Sequence, residues 1–225
     1  MTSDIDRSSQ RPYVVAHLAV SLDGATTGFE PDVAKFYALA ATWREDVTLA
    51  GADTILAQEK ALDTAPRPGP VRDGPLLAVV DGKGRVRQWD ALRDAGHWSD
   101  VLALHARHTP PRAKDRAVAE WVLGAERVDL AAALDELGRC RGARTVRVDS
   151  GGSLVGALLE AGLLDEVSLL VHPCLAAGTG GGRPWHGRAS EPSATGTLDL
   201  LANETPGGGL VWLRYRVGGR SSPDA

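Results

Sequence analysis

The stretch ARTVRVDSGGSLVGALLEAGLLDEVSLLVHP, residues 143–173, decides the fold class of this chain. It begins with a short apolar segment typical of a buried strand, which runs directly into a helix at 151–162 opened by a pair of glycines. A second apolar strand follows at 165–173. A strand, a helix and a further strand in this order indicate two parallel strands joined by a helical crossover.

The same alternation of strands and helices runs through the rest of the chain. Two closing segments, TLDLLAN and GLVWLRYRV, are predicted to pair antiparallel. The pattern predicts an α/β fold with three α/β/α layers, in which a mainly parallel sheet ends in an antiparallel C-terminal edge. The other predicted elements are strands at 13–20, 47–50, 75–82 and 100–105, helices at 32–42 and 128–138, a helix after the second strand, and a short helix between Pro111 and the segment 121–124.

The composition is that of a globular protein, since 43% of the 225 residues are hydrophobic and 24% are charged. No linker divides the chain, so we expect one domain over 11–218 with flexible tails at 1–10 and 219–225. A net charge of −4 without a Lys/Arg cluster argues against a nucleic-acid partner, and the longest apolar runs are too short for a membrane span. Two cysteines outside any CxxC motif, together with the lack of a signal-peptide pattern, predict a cytoplasmic protein.

The glycine pair Gly151 and Gly152 is the first candidate for a ligand site. Ligands of open α/β sheets bind beyond the carboxyl ends of the strands, and glycines without Cβ atoms let the backbone come close to a ligand there. The N–H groups and the positive dipole end of the following helix favour a pyrophosphate, to which the Ser153 hydroxyl can also donate. A tight turn capped by Ser150 or Ser153 is the alternative, and the segment alone leaves both interpretations open.

Two further corners follow predicted strands. Gly51 allows a tight turn after the second strand, and Thr54 either donates to a ligand or caps a helix. In the loop that begins at Asp81, Lys83 and Arg85 form a cationic pair suited to the 2′-phosphate of a cofactor, or else a solvated surface turn.

Asp23 and Asp149 are the candidate catalytic carboxylates. Asp23 directly follows the first strand, and Asp149 directly precedes the glycine pair, so both are expected to face the same crevice. Either carboxylate can accept hydrogen bonds from an amino-pyrimidine ring or orient a water that supplies a proton. A turn-forming role for Asp23 and a capping role for Asp149 are the structural alternatives.

No metal site is predicted. His105 and His108 stand at a strand end before a double proline, and no third ligand lies at a suitable spacing. The sequence also contains neither a Walker loop nor a GxSxG nucleophile elbow.

In this order, these segments resemble the reductase domain of the bacterial riboflavin-biosynthesis deaminase-reductases and their stand-alone relatives. The resembling segments are LAVSLDG at 18–24, DVTLAGADTILA at 46–57, LLAVVDG at 76–82 and the stretch 148–178. The resemblance implies a dihydrofolate-reductase-like fold and NADPH as the cofactor. It also implies hydride transfer to a C=N or C=O group of a small, heterocyclic substrate.

The resemblance also implies roles for individual residues. Asp149 takes the position of an acidic residue that faces the substrate, and Ser21, Asp23 and Leu62 belong to the same pocket. A homodimer is implied as well, for which the closing strands with Trp212 would form the interface. Cofactor contacts are implied for Ala19, Thr54, Gly151, Gly152, Ser153, Leu154, Val155 and Gly156.

The segment QEKALDTAPR, residues 58–67, departs from the pattern of the riboflavin-pathway members. Gln58 and Glu59 replace an acidic pair, and Thr42 stands where those members place a substrate-binding arginine. Arg44 or Arg67 could compensate, although neither is in register. Three functions stay open: a reductase of another small heterocycle, the ribosylamino-pyrimidinone-phosphate reductase itself, and a nucleotide-binding module without chemistry.

Overall fold

Strands and helices alternate along the chain in the computed structural model, which describes residues 11–112, 118–176, 183–186 and 197–218. Both predicted tails lie outside the described residues, as does most of the segment for which a short helix is predicted after Pro111. The strands are β1 (Tyr13–Ser21), β2 (Val47–Gly51), β3 (Leu76–Val80), β4 (Asp100–His105), β5 (Ala119–Val122), β6 (Thr145–Val148), β7 (Glu166–His172), β8 (Leu198–Gly207) and β9 (Leu210–Val217). The helices are α1 (Val33–Ala40), α2 (Ala52–Leu62), α3 (Trp89–Arg93), α4 (Leu130–Arg141) and α5 (Gly152–Glu160).

The strands join one sheet in the order β5-β4-β3-β2-β6-β1-β7-β9-β8. All pairings among β1 to β7 are parallel, whereas β9 runs antiparallel to β7, and β8 antiparallel to β9. The predicted mainly parallel sheet with an antiparallel C-terminal edge is therefore confirmed. One continuous sheet also supports the single domain over 11–218, which stays a prediction.

Side chains of the sheet alternate between two helical layers, as the pleat of a strand requires. In β3, Leu76 and Ala78 belong to a hydrophobic cluster that includes α4 and α5, whereas Leu77 and Val79 belong to a second cluster with α2 and α3. Leu170 of β7 packs on this second face against α1. The three predicted layers are thus confirmed, with α4 and α5 on one face and α1 to α3 on the other.

The helix ends follow local hydrogen bonding. Asp32 caps α1 by accepting the N–H of Lys35 at 2.9 Å, as the sequence indicates. The helix predicted to end near Gly138 instead continues to Arg141, because Gly142 adopts the left-handed conformation (φ 65°) that ends helices. The sequence interpretation also missed α3, a short helix that buries Trp89.

Trp212 is a core residue, which corrects its expected place in a dimer interface. Its side chain is 5% exposed, packs with Phe36 and Leu170, and donates a hydrogen bond from Nε1 to Ser168 Oγ at 2.8 Å. The exposed apolar side chains of the closing pair lie on β8 instead, namely Leu198, Leu200 and Leu201.

A crevice opens where two neighbouring strands send their helices to opposite faces. Strands β2 and β6 pair in parallel, yet α2 follows β2 on one face and α5 follows β6 on the other. Such a point, at the carboxyl ends of parallel strands, is where open α/β sheets bind ligands. No helix within the described parts of the chain is long and apolar enough to cross a membrane.

Candidate active site

A cleft of about 880 Å³ lies over the carboxyl ends of β1, β2, β3 and β6. Its size falls near the upper end of the ~300–1,000 Å³ typical of ligand pockets. Most of the predicted site residues share this cleft. They are Ala19, Gly51, Thr54, Asp81, Lys83, Arg85, Asp149, Gly151, Gly152, Ser153 and Leu154.

The corner at Gly151, where the chain turns from β6 into α5, has no side chain beside it among the described residues. Gly151 is the N-cap of α5, and no side chain among the described residues caps the helix. A Cβ atom added to Gly151 would meet no heavy atom within 4 Å, so the space beside this backbone is open. Its φ of −75° and ψ of 179° suit any residue, so the backbone conformation does not require the glycine. An open corner at the positive end of a helix fits the pyrophosphate of a dinucleotide.

The second corner, at Gly51, is held against the first by Ser150. Ser150 Oγ accepts the backbone N–H of Gly51 at 3.2 Å and lies 3.1 Å from Thr54 Oγ1. A Cβ atom on Gly51 would lie 2.9 Å from Ser150 Oγ, so a side chain at this position would crowd the serine hydroxyl. Ser150 therefore joins the corners and does not cap α5, contrary to the structural alternative considered from the sequence.

Asp149 is a hydrogen-bond acceptor that lines the cleft. Its backbone N–H donates to the carbonyl of Leu49 at 2.9 Å, and its carboxylate accepts a hydrogen bond from Arg147 Nη1 at 3.2 Å. Arg147 also donates to Glu45 at 2.7 Å, which leaves its charge balanced by two carboxylates. Desolvation, and then the negative charge of Asp149, raise the pKa of Tyr37 to about 12. Tyr37 thus stays protonated at neutral pH and presents its hydroxyl near the Asp149 carboxylate.

His17 forms part of the cleft wall and is neutral. Its Nε2 lies 3.1 Å from the carbonyl oxygen of Phe36, which can only accept, so Nε2 carries the proton. Nδ1 consequently accepts from Ser168 Oγ at 2.9 Å, which in turn accepts from Trp212. Burial lowers the pKa of His17 to about 4. A neutral imidazole with both nitrogens engaged positions α1 against the sheet and holds no proton for transfer.

The other predicted carboxylate, Asp23, closes a turn. It accepts the Ser21 hydroxyl at 2.6 Å and the backbone N–H of Ala176 at 3.0 Å, and the bond from Ser21, then that from Ala176, lowers its pKa. Neither Ser21 nor Asp23 is among the residues that line the cleft. This geometry fits the turn-forming role, and a contact of Asp23 with a ligand stays a prediction.

Three further predicted residues do not line the cleft either. Leu62 packs at the end of α2 against the cluster that contains Ile55. Val155 and Gly156 are buried within α5 and do not line the cleft. Their direct contact with a ligand stays untested.

The loop after β3 is built around Asp81. The carboxylate of Asp81 is buried and accepts the backbone N–H groups of Arg85 at 2.9 Å and Val86 at 2.8 Å. Lys83 is exposed at the cleft, whereas the Arg85 guanidinium donates to Asp53 on α2 at 2.7 Å. Arg85 is therefore already paired, although it also lines the cleft.

Several residues were missed from the sequence: Arg147, which contacts Asp149 from outside the cleft lining, and the cleft residues Tyr37, Arg127 and Arg183. Arg147 had a usable signal, because a charged residue in a buried strand two positions before Asp149 must lie on the same face of the sheet. Tyr37 had none, since its place on an apolar helix face looks like core packing. Arg127 and Arg183 also line the cleft.

Arg44 cannot compensate for the missing substrate-binding arginine. It lines a separate hollow with Asp46, Leu76 and Asp100, at the amino ends of β2, β3 and β4, on the opposite edge of the sheet from the cleft. The two histidines set aside as metal ligands contact different glutamates, His105 with Glu120 at 3.0 Å and His108 with Glu126 at 2.7 Å.

Two known proteins are similar to this chain in sequence over most of its length. The 2,5-diamino-6-ribosylamino-4(3H)-pyrimidinone 5′-phosphate reductase of Archaeoglobus fulgidus is 30% identical over 185 residues, which are 75% of this chain and 83% of that protein. The protein of the same name from Methanothermobacter thermautotrophicus is 30% identical over 222 residues, 93% of this chain and 100% of that protein.

The fold is also that of solved reductase structures. RibD of Acinetobacter baumannii superposes with a TM-score of 0.69 and 20% identity over 94% of this chain, which spans 59% of the length of that chain. A family model described as the RibD C-terminal domain matches residues 12–195. The chain therefore belongs to the RibD C-terminal domain family and is an oxidoreductase with a dihydrofolate-reductase-like fold.

Proposed function

We propose that this chain uses NADPH to reduce 2,5-diamino-6-ribosylamino-4(3H)-pyrimidinone 5′-phosphate, the substrate in the names of two relatives. One observation carries the proposal: the bare corner at Gly151 and the acceptor Asp149 lie next to each other in a single cleft. The corner suits a dinucleotide, and the carboxylate suits an amino-substituted ring.

The cofactor half of the cleft is the crevice between β2 and β6. The N–H groups at the start of α5 and the hydroxyl of Thr54 would bind the pyrophosphate, and Ala19 would lie beside the ring portion of the cofactor. The nicotinamide would supply a hydride from its C4 atom. The residues of the chain orient the two reactants and exclude water from the space between them.

The substrate half lies on the β1 side of the same cleft. The Asp149 carboxylate, held by Arg147, would accept hydrogen bonds from the amino groups of the pyrimidinone. Arg183 lines this cleft as well, tied by its backbone to Thr26 and Thr27. Its positive charge suits the 5′-phosphate of the substrate.

A second candidate substrate is another small heterocycle with a C=N or C=O group. The observation that favours it is the position of Arg44, whose hollow lies at the opposite edge of the sheet. The cleft consequently lacks an arginine at the position that riboflavin-pathway members use, and a substrate without a phosphate would not need one.

Loss of nicotinamide absorbance after addition of a substrate to the purified chain and NADPH tests the proposal. We expect turnover with the pyrimidinone phosphate and a KM at least about tenfold higher for the same compound without its phosphate, because a charge-assisted contact is lost. Equal turnover of both compounds would favour the second candidate. No oxidation of NADPH with either compound would overturn the riboflavin-pathway proposal.

We also propose that the chain forms a homodimer and that it is located in the cytoplasm. A homodimer would cover β8, which forms an edge of the sheet and exposes Leu198, Leu200 and Leu201. Sedimentation of the chain tests this, with a monomer at micromolar concentration as the contradicting result.

The cytoplasmic location rests on the free cysteines Cys140 and Cys174, and cell fractionation tests it.

A further inference from the structure

Two loops meet at the end of the cleft that lies on the β3 side. The loop after β3 passes close to the loop before α4, since a Cβ atom on Gly82 would lie 3.7 Å from Val128 Cγ2 and 3.9 Å from its backbone nitrogen. Lys83 directly follows Gly82, and Arg127 directly precedes Val128. Both line the cleft and both are exposed. Two cations from different elements therefore flank the same end of the cleft.

Other charged side chains at this end already have partners, and the Asp81 carboxylate accepts backbone N–H groups. Arg85 donates to Asp53 at 2.7 Å, and Glu126 accepts from His108 at 2.7 Å. Within the described parts of the chain, no side-chain ion pair or hydrogen bond engages Lys83 or Arg127. Lys83 and Arg127 are thus the two cations at this end that are available to an anionic ligand, while the nearby Asp81 carboxylate is held by backbone N–H groups.

The backbone on which Lys83 stands is fixed before any ligand binds. Gly84 donates its N–H to the carbonyl of Asp81 at 3.0 Å, which closes a tight turn with Lys83 inside it. The Asp81 carboxylate and a hydrogen bond from Thr109 Oγ1 to Gly82 at 2.9 Å hold the same turn. A cation on a preorganised turn loses little entropy from the backbone when it binds an anion.

We infer that Lys83 and Arg127, rather than the sequence-predicted pair Lys83 and Arg85, bind the 2′-phosphate of the cofactor and select NADPH over NADH. The inference rests on the proposed function. The order of residues along the cleft supports the assignment. Asp149 and Arg183 mark the proposed substrate end near β1, and the opposite end lies near β3. The crevice between Gly51 and Gly151 lies between these two ends. The adenosine part of a dinucleotide, which carries the 2′-phosphate, would then reach the β3 end.

Calorimetric titration of the full chain with NADPH and with NADH tests the inference without any substrate. We expect wild type to prefer NADPH. Lys83→Ala and Arg127→Ala should each weaken NADPH binding about tenfold, the loss typical of one hydrogen bond to a charged group. NADH binding should change by less than about threefold, because NADH lacks the phosphate. Arg144→Ala, an exposed arginine at the amino end of β6, is the matched control and should change neither affinity.

The outcomes separate this inference from the proposed function. If wild type binds neither dinucleotide, the proposed function fails. A second outcome is that wild type binds NADPH and that Arg85→Ala alone, rather than Lys83→Ala or Arg127→Ala, removes the preference for NADPH over NADH. In that case the assignment to Lys83 and Arg127 is wrong, while NADPH remains the proposed cofactor. Equal binding of both dinucleotides by wild type would likewise contradict the inference. Thermal unfolding of each variant checks that the exposed substitutions leave the fold intact.

Discussion

The hydroxyl of Ser150 accepts a hydrogen bond from the backbone N–H of Gly51 at 3.2 Å, across the crevice between β6 and β2. These residues are 99 positions apart in the chain, and each stands at the corner where a strand becomes a helix. The bond fixes the distance between two helix starts that diverge to opposite faces of the sheet. The width of the proposed cofactor crevice therefore depends on one serine and one glycine.

A double-mutant cycle on this pair tests the close packing of the corners. Gly51→Ala alone should lower the free energy of unfolding by about 1 kcal/mol, because the new Cβ would crowd Ser150 Oγ. In a Ser150→Ala background the oxygen is gone, so the same change should cost at least about 0.5 kcal/mol less. Urea unfolding measures both values. The pair Gly51→Ala and Ser153→Ala is the control and should be additive; an additive Ser150 pair would contradict the packing argument.

The buried His17 predicts a loss of stability in mild acid. Burial lowers its pKa from 6.5 to about 4 in the folded chain, so the folded state favours the neutral imidazole more than the unfolded state does. Its contribution is complete above pH 6.5 and is lost as the pH falls towards 4, by roughly 3 kcal/mol at most. Urea unfolding between pH 7 and pH 4 should show this loss in wild type and a smaller loss in His17→Gln. The exposed His97→Gln should behave as wild type does; an identical pH dependence in all three proteins would refute the assignment.

Asp149→Asn should separate substrate contacts from cofactor contacts. We expect kcat/KM to fall about 10- to 100-fold, since the amide has one acceptor oxygen and no charge with which to bind both Arg147 and the substrate. NADPH affinity should stay within about twofold of wild type. The pKa of Tyr37 should also fall below about 12 when the neighbouring charge is removed, and the tyrosine absorbance lost in Tyr37→Phe identifies its titration. A large loss of NADPH affinity in Asp149→Asn would place the carboxylate in the cofactor site instead.

The sequence predicted the fold and the general place of the site because both depend on local patterns. Alternating strands and helices indicate a parallel sheet, and glycines after β2 and β6 mark the corners at its carboxyl edge. The sequence could not decide between Gly151 and Gly152, because only the structure shows that Gly151 stands beside open space while Gly152 is buried in the first turn of α5.

The sequence could not show the hydrogen bonds and ion pairs between distant segments that decide the role of a residue. Asp23 and Asp149 both follow strands, yet a backbone N–H from Ala176 ties Asp23 into a turn, while Asp149 stays on the cleft. Likewise, Lys83 and Arg85 look equivalent along the loop, but Asp53 on another helix pairs with Arg85 alone. Such partners lie on distant segments, so periodicity and local motifs cannot identify them.

Calorimetric titration of NADPH into wild type, Gly151→Ala and Gly151→Val tests the central claim most directly. The backbone angles of Gly151 suit any residue and its added Cβ meets no protein atom, so both variants should fold. If the pyrophosphate binds at this corner, affinity should fall stepwise with side-chain size, by about 100-fold for valine, because a larger side chain overfills the site. Folded Gly151→Val that binds NADPH as tightly as wild type would contradict the account.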